Sequence, residues 1–388
     1  MRARARAFTS AAAETISRAQ SARGLLVSRA AHTFPMQDSN GGARNRPIRS
    51  NSIGDPRLDQ KIRELVDEIQ MEKPRELIEE MIVTALKMAR DQTSVADLKM
   101  LNRALKELRF ASRVFAPYRD RRKVAVFGSA RTSDDAEEFK AAEQFGRAMR
   151  ERGYMIVTGG GDGIMGAAQR GAGREHSFGL NIRLPFEQSA NQTILGDTKL
   201  MNFNYFFTRK LNFVKETHAI ALFPGGFGTM DEGFEVLTLM QTGKARIFPL
   251  VLVDKPGGTY WQTWLAFLRG HLLKLGLISE DDFNFLHHCE SVECAVEHIV
   301  HFYSNFHSSR WVGGKLVIRL QRPLSQMLVE KMDTEFDDVL ASGKFTRSAA
   351  LPEESGEPDI AHLPRLVFQP KRRNFGRLRK VIDAVNRE

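Results

Sequence analysis

Short apolar segments alternate with helical patterns from residue 123 onward, and this alternation limits the possible fold more than any other feature of the sequence. Strands are predicted at residues 123–127, 154–158, 178–184, 218–223 and 248–254, and helices at 134–152, from 164, around 205–216, from 230 and at 260–275. Strands and helices that alternate at these lengths form a parallel sheet with helices on both faces. We therefore expect an α/β, Rossmann-like domain whose ligand binds at the carboxyl ends of the strands.

Further segments are predicted on both sides of this domain. Apolar residues at spacings of three and four indicate helices within 56–118, and a mixture of strand and helix patterns follows residue 311. We expect a disordered basic tail at 1–55, a helical N-terminal extension at 56–118, the Rossmann-like domain at 119–310 and a small α+β module at 311–388. In the last of these, strands are predicted at 315–320 and 365–369, and helices at 324–340 and 375–385.

The net charge of +10 is concentrated at one end of the chain. Residues 1–55 contain nine arginines and three acidic residues, whereas the middle of the chain is close to neutral. This distribution argues against a nucleic-acid groove in the main domain, and nucleic acid is not an expected partner. Because no apolar run approaches the roughly 18–20 residues that span a bilayer, no membrane partner is expected either. The two cysteines form no disulfide framework and indicate a reducing compartment.

The first 35 residues are rich in alanine, arginine and serine and poor in acidic residues. This composition resembles that of an organelle transit peptide. A disordered tail, or a start at Met36, explains the same composition without targeting. We favour these simpler explanations and expect a cytoplasmic protein.

Two glycine-containing loops follow the first two predicted strands. Gly128 and Ser129 come directly after the first strand, where backbone N–H groups and a hydroxyl can face a ligand; a simple helix entry is the alternative. Residues 158–166 contain Gly-x-Gly-x-x-Gly between a strand and a helix, which is formally the dinucleotide-binding pattern. However, this loop follows the second strand, and Arg183 stands at the end of the next strand where that fold has an acid. The pattern therefore predicts a phosphate-binding loop at a helix N-terminus and not a dinucleotide site.

A third glycine-rich loop, residues 224–232, again precedes a predicted helix. Thr229 is the expected N-cap of that helix, and Glu232 lies three residues later, which is the spacing of a capping box. Capping is thus a structural explanation for Glu232, although a capping glutamate can also be catalytic. Two glycine-rich helix starts in one chain predict that both converge on one phosphate.

The loops at 158–166 and 224–232 resemble the paired motifs of the Lonely Guy (LOG) phosphoribohydrolases, formerly described as lysine decarboxylases. The Arg209-Lys210 pair stands where that family has its Arg-Lys, and the resemblance covers roughly residues 120–305. It implies a Rossmann-like fold, a homodimer or higher homo-oligomer, and hydrolysis of a nucleoside 5′-monophosphate to free base and ribose 5-phosphate. The added segments at both ends look like those of the longer bacterial members often labelled AMP nucleosidase. The expected substrate is therefore AMP-like, with a cytokinin riboside monophosphate as a second candidate.

The resemblance also implies roles for individual residues. Glu232 would stabilise the ribosyl cation or activate water, with Asp231 as a helper, and Arg209 would orient the ribose or stabilise the departing base; a surface cation is the alternative for Arg209. No cofactor and no metal are expected. The aromatic residues within 203–207 are candidates for a wall that stacks on the base, or for core. The substrate-binding residues would be Gly128, Ser129, Gly159, Gly160, Gly161, Gly163, Met165, Lys210, Pro224, Gly225, Gly226, Gly228 and Thr229.

Two other functions compete with hydrolysis. One is a non-catalytic carrier or sensor of a phosphorylated ligand, such as molybdenum cofactor or a signalling nucleotide, and the other is single-strand DNA binding. The presence of both Arg209 and Glu232 favours an enzyme, because a carrier does not need them. Histidines and cysteines are also frequent between His287 and His301, but their spacing matches no tight zinc pattern, and we predict no metal site there.

Overall fold

The computed structural model describes residues 52–69, 74–185 and 189–388. The predicted tail and targeting segment therefore fall almost wholly outside the described residues. The chain divides into two compact units, one of them Asp38–Phe110 and the other containing Ala111–Glu388. None of the helices in the described ranges is both long and apolar enough to cross a membrane.

The smaller unit is helical, as the sequence predicts. It contains α1 (Pro56–Glu68), α2 (Arg75–Arg90) and most of α3 (Val95–Phe115). Asp55 caps α1 by accepting hydrogen bonds from the backbone N–H groups of Arg57 and Leu58, and Pro56 occupies the first helical position. Both features are typical of a helix start, because the first N–H groups of a helix have no partner within it.

A seven-stranded parallel sheet forms the centre of the larger unit. The strand order is β4-β3-β2-β1-β5-β6-β7, and every neighbouring pair is parallel. This confirms the Rossmann-like fold. The sequence did not indicate β4 or β7. The strands are β1 (Lys123–Phe127), β2 (Met155–Thr158), β3 (Ser177–Ile182), β4 (Leu200–Phe203), β5 (Ala219–Leu222), β6 (Leu250–Val253) and β7 (Leu286–Cys289).

Helices cover the sheet on both sides because successive strand residues point to opposite faces. In β1, Val124 and Val126 belong to one apolar cluster, whereas Ala125 and Phe127 belong to another. The first cluster includes residues of α4 (Glu137–Glu151), α5 (Ile164–Ala172) and α9 (Val292–Phe302). The second cluster includes residues of α6 (Phe206–Glu216), α7 (Phe227–Gln241) and α8 (Tyr260–Phe267).

The order of the strands fixes where a ligand can enter. From β1 the chain builds β2, β3 and β4 on one side, and then returns to place β5, β6 and β7 on the other. Such a reversal separates the loops that follow β1 and β5 and opens a crevice at their carboxyl ends. The loops at Gly128 and at Pro224 begin there.

The C-terminal region adds a four-stranded antiparallel sheet in the order β10-β11-β9-β8. Strand β8 begins at Phe306, so the predicted boundary at residues 310–311 lies inside a strand. The core of this region is continuous with that of the parallel sheet, because Ile318 and Val381 belong to the same cluster as Trp261. Its elements are β8 (Phe306–Val312), β9 (Lys315–Leu320), α10 (Gln326–Glu335), β10 (Leu340–Ser348), β11 (Arg365–Pro370) and α11 (Phe375–Val385).

Candidate functional site

The three loops singled out in the sequence contact one another at the crevice. The Ser129 N–H donates a hydrogen bond to the Pro224 carbonyl (3.1 Å), and the Ser129 carbonyl accepts one from the Ile164 N–H (3.1 Å). The loop after β1 therefore lies between the loop after β5 and the first residue of α5. This arrangement brings the predicted binding residues of all three loops to one edge of the sheet.

Glycines allow these loops to approach so closely. Gly163 has a φ of +61°, and a Cβ atom there would lie 2.3 Å from the Ser129 carbonyl oxygen. A Cβ atom at Gly128 would lie 2.6 Å from the Ile164 side chain, and one at Gly225 would lie 2.2 Å from the Thr229 hydroxyl oxygen. These distances are too short for real side chains, so packing alone requires glycine at all three positions.

Gly226 and Gly228 are different, because a Cβ atom at either position would have nothing within 4 Å. They flank the first residue of α7, where Gly226 occupies the N-cap position without a side-chain hydrogen bond to the helix. Helix α5 also begins after a glycine, Gly163, and lacks a side-chain cap. Neither first turn contains an acidic residue. Two uncapped helix starts with open space before one of them are suited to binding an anion.

The predicted N-cap at Thr229 is wrong. Helix α7 begins at Phe227 instead of Met230, so Thr229 lies in the first turn, with 5% of its surface exposed. The predicted capping box with Glu232 therefore does not form. The helix starts earlier because the Gly226 carbonyl already accepts hydrogen bonds from the N–H groups of Thr229 (3.1 Å) and Met230 (3.2 Å). This result removes the structural explanation offered for Glu232.

Glu232 instead forms a buried ion pair with Arg209. The Arg209 Nη2 atom lies 3.1 Å from Glu232 Oε1, with side-chain exposures of 13% and 5%. Arg209 is therefore not a surface cation. Its Nη1 atom is 3.6 Å from the position that a Cβ atom would take at Gly159, so the guanidinium also adjoins the second loop. The Arg209 Nε–H has no hydrogen-bond partner within the described residues.

Burial changes the acidity of this pair. Removal from water raises the pKa of Glu232 to about 7, although Arg209 and Lys210 favour the charged form and offset part of the rise. Burial likewise lowers the pKa of Arg209, and the three neighbouring carboxylates counter that change. Glu232 can therefore exchange a proton near neutral pH, which is the property required of a general acid or base.

Lys210 contacts α7 rather than open solvent. Its Nζ atom lies 2.8 Å from Asp231 Oδ2 and 2.8 Å from Glu235 Oε2, with 13% of the side chain exposed. These pairs hold α6 against the first turns of α7. Asp231 remains 58% exposed and lies beside Glu232 in sequence.

Aromatic side chains lie next to Arg209 on α6. The rings of Tyr205 and Phe207 are stacked with centroids 5.5 Å apart, and Phe206 and Phe207 are about half exposed. The Arg209 guanidinium lies 5.3 Å from the Phe206 ring centroid. Phe203, in contrast, is buried in the core. Part of the predicted aromatic wall is therefore exposed near the ion pair, and part of it is core.

Two further residues support the loops and were not identified from the sequence. The Asn191 amide donates hydrogen bonds to the carbonyls of Gly160 (3.0 Å) and Gly161 (2.9 Å) and to the side-chain oxygen of Gln169. The Tyr260 hydroxyl donates to the Gly225 carbonyl. Both act across long sequence distances, and nothing in their local sequence marks them.

The fold and the loops at the carboxyl ends of the strands define the class of protein. It is a Rossmann-like α/β protein in which two helix N-termini lie beside a buried Arg–Glu pair. Comparisons with known proteins narrow it. The family model described as "Possible lysine decarboxylase" matches residues 165–299. A probable cytokinin riboside 5′-monophosphate phosphoribohydrolase of rice (Oryza sativa subsp. japonica) is 32% identical over 154 residues, which are 38% of this chain and 59% of the rice protein. An Arabidopsis thaliana cytokinin riboside 5′-monophosphate phosphoribohydrolase is 27% identical over 38% of this chain and 67% of its own length.

The α/β domain of this chain is therefore similar to proteins of the LOG family. The matched segment spans about three fifths of the length of the rice relative. Among solved structures, a molybdenum cofactor binding protein of Rippkaea orientalis is similar at 20% identity and a TM-score of 0.33, over 46% of this chain and 96% of that protein. DNA processing protein A of Helicobacter pylori is similar at 14% identity and a TM-score of 0.33, over 46% of this chain and 80% of that one. At these scores the two structures do not discriminate between functions.

Proposed function

We propose that this chain hydrolyses the N-glycosidic bond of a nucleoside 5′-monophosphate to release the free base and ribose 5-phosphate. The observation that carries the proposal is the buried Arg209–Glu232 pair at the edge where two uncapped helix starts meet. Similarity to curated relatives named phosphoribohydrolases supports the same activity.

In this proposal the 5′-phosphate binds at the N-termini of α5 and α7. The open space at Gly226 and Gly228 admits phosphate oxygens close to the backbone, and the positive ends of both helix dipoles attract them. Gly159, Gly160 and Gly161 belong to the loop before α5, and Met165 lies in the first turn of that helix. The phosphate thereby anchors the nucleotide so that its sugar points toward Glu232.

The reaction breaks the bond between the ribose C1′ and the base nitrogen. The base leaves with the bonding electrons, and positive charge develops on the ribose, which the Glu232 carboxylate stabilises. Water then attacks C1′ and gives up a proton to Glu232, and Glu232 passes that proton to the departing base nitrogen. A carboxyl with a pKa of about 7 can accept and release this proton at neutral pH. Arg209 keeps Glu232 oriented and offers donors to the ribose hydroxyls or the base.

An AMP-like substrate fits the exposed Phe206 ring on α6, because a purine can stack on it. Cytokinin riboside monophosphates share the same purine and phosphate and are the second candidate.

We also propose a homodimer, because Phe207 and Leu211 lie four residues apart on α6 and are 54% and 40% exposed. Light scattering of the purified chain tests this oligomeric state.

The test of the activity is incubation of the purified chain with AMP, GMP, CMP and isopentenyl-AMP, with chromatography for free base and ribose 5-phosphate. We expect base release from at least one purine nucleotide. Glu232→Gln should reduce kcat by about 100- to 10,000-fold, the usual contribution of a general acid or base, while nucleotide affinity changes little.

The alternative function, a carrier or sensor of a phosphorylated ligand, makes the opposite prediction. It requires that the wild type release no base from any of the four nucleotides, whereas the ligand affinity of Glu232→Gln should change little under either function. Asp359→Asn is a suitable control, because Asp359 is exposed in the C-terminal region. This variant should retain full activity.

A further inference from the structure

Strand β7 and helix α9 bring one histidine and two cysteines together, away from the loops described above. His287 and Cys289 are two residues apart on β7 and therefore point to the same face of the sheet. Cys294 lies in the first turn of α9, which packs on that face. The possible ligand atoms of these three residues all lie within 4.8 Å of one another.

The spacing of these atoms matches a tetrahedral metal site. The Cys294 Sγ atom is 3.7 Å from the His287 Nε2 atom. With Zn–S bonds of about 2.3 Å and Zn–N bonds of about 2.0–2.1 Å, two ligands of tetrahedral zinc are separated by roughly 3.6 Å. The Cys289 Sγ atom also lies within 4.8 Å of the ligand atoms of Cys294 and His287. An ion at the centre would therefore meet three ligands with little movement of the backbone.

We propose that His287, Cys289 and Cys294 bind one thiophilic divalent metal ion, with zinc as the reference ion and a fourth position left for water or another ligand. Two thiols and an imidazole form a donor set that selects zinc-like ions over magnesium or calcium, which prefer oxygen. This proposal is independent of the hydrolytic function.

The surroundings hold these groups in a state that can bind a metal. The His298 ring stacks on His287 at a centroid distance of 3.7 Å, and the Arg379 Nη2 atom lies 3.1 Å from His298 Nε2. Burial and the nearby Arg379 cation lower the pKa of His287, so its imidazole is neutral and has a free electron pair. Stacking on His298 fixes the plane of the ring, as supporting residues do around metal ligands.

The two cysteines differ in their surroundings. Ser291 caps α9 and accepts a hydrogen bond from the Cys294 N–H (3.2 Å), which fixes Cys294 in the first turn of that helix. Burial raises the pKa of Cys289, so that thiol is protonated until a metal displaces its proton.

This inference differs from the prediction made from spacing alone. A strand places residues i and i+2 together, and the following helix folds back over the strand. His287, Cys289 and Cys294 become neighbours only because residues 286–289 form strand β7. The sequence did not predict that strand.

Cobalt titration of the reduced full-length protein, without oxygen, tests the proposal. Cobalt(II) bound tetrahedrally by thiolates absorbs in the near ultraviolet through charge transfer from sulfur. We expect this band to saturate at one cobalt per chain and to disappear when zinc is added. Zinc should also protect both thiols from alkylation, counted by mass spectrometry of the intact protein.

Cys294→Ser should weaken zinc binding by more than the roughly 10- to 100-fold that loss of a supporting residue costs. His301→Asn is the matched control, because His301 is exposed on the same helix and should leave the titration unchanged. A reduced wild-type protein that shows no charge-transfer band, or a Cys294→Ser variant that keeps the wild-type band, overturns the proposal. If Cys294→Ser does not fold, the wild-type band and the protection of two thiols still decide it.

Discussion

At the scale of single residues, Glu232 is the most unusual group in the site. It is a nearly buried carboxyl whose one direct cationic partner in the described residues is Arg209. Desolvation raises the pKa of Glu232 by more than the neighbouring cations Arg209 and Lys210 lower it, so this pKa lies near 7. A carboxylate placed in this way is costly to the folded state and useful for proton transfer, which is a common compromise in active sites.

Because of this pKa, base release should depend on pH. We expect kcat/KM to rise about tenfold per pH unit below pH 7 and to level off above it, as Glu232 becomes ionised. The negative charge of Asp231 raises the pKa of Glu232, so Asp231→Asn should move the rising limb of the pH–rate profile to lower pH. The pH–rate profiles of the two proteins provide the measurement. A limb that moves to higher pH, or an activity independent of pH, would contradict this assignment.

The same pKa should also affect stability. The folded state binds the Glu232 proton more tightly than the unfolded state does, so the stability that this proton confers is full below about pH 4.5 and declines as pH rises toward 7. A difference of roughly 2.5 pKa units corresponds to about 3 kcal/mol. The free energy of unfolding of Glu232→Gln, relative to wild type, should increase by up to this amount between pH 4.5 and 8. Urea unfolding at both pH values measures it, and an unchanged difference would refute it.

At the scale of elements, the glycines of the site fall into two groups with different functions. Gly163 is required by packing, whereas Gly226 borders open space. Gly163→Ala should lower the free energy of unfolding by about 2–3 kcal/mol, because its φ is positive and the new methyl group would overlap the Ser129 carbonyl. Gly226→Ala should change stability by less than about 0.5 kcal/mol.

Ligand binding separates these two variants further. The methyl group of Gly226→Ala would occupy the space before α7 where we place the phosphate, so affinity for ribose 5-phosphate should fall although the protein folds normally. Calorimetric titration and urea unfolding together provide the measurement. Unchanged affinity in Gly226→Ala would show that this helix start does not contact the phosphate.

The elements also show what the sequence could and could not predict. Strands β1 and β5 were evident because they are continuous apolar runs followed by glycine-rich turns. Strand β7 contains two histidines and no β-branched residue, and it exists because β6 offers it a parallel partner. Local pattern carries no information about such a partner. The resemblance placed Arg209 and Glu232 in one site, but their direct contact was not predicted, since two helices separated in sequence bring them together.

At the scale of the whole molecule, the sequence separates segments that the structure joins. The C-terminal helix α11 packs into the main core. Its first residue, Phe375, lies so close to Gly243 that a Cβ atom at Gly243 would be 2.2 Å from the Phe375 ring, and Gly243 has a φ of +67°. The Asn386 side chain accepts hydrogen bonds from the N–H groups of Asn305 and Phe306 (both 2.9 Å). The last residues of the chain therefore stabilise the junction between α9 and β8.

This continuity makes a prediction about truncation. A chain ending at residue 310, where the sequence places the domain boundary, would expose the apolar side chains of α9 and β8 that α11 now covers, including Phe302 and Phe306. We expect it to aggregate or to lose its cooperative thermal transition, as checked by light scattering and circular dichroism. In the full chain, Asn386→Ala should cost about 1–3 kcal/mol, because it leaves buried N–H groups without acceptors. A soluble truncated chain that melts near the full-length Tm and releases base would instead show that the parallel sheet and its helices fold without the C-terminal region.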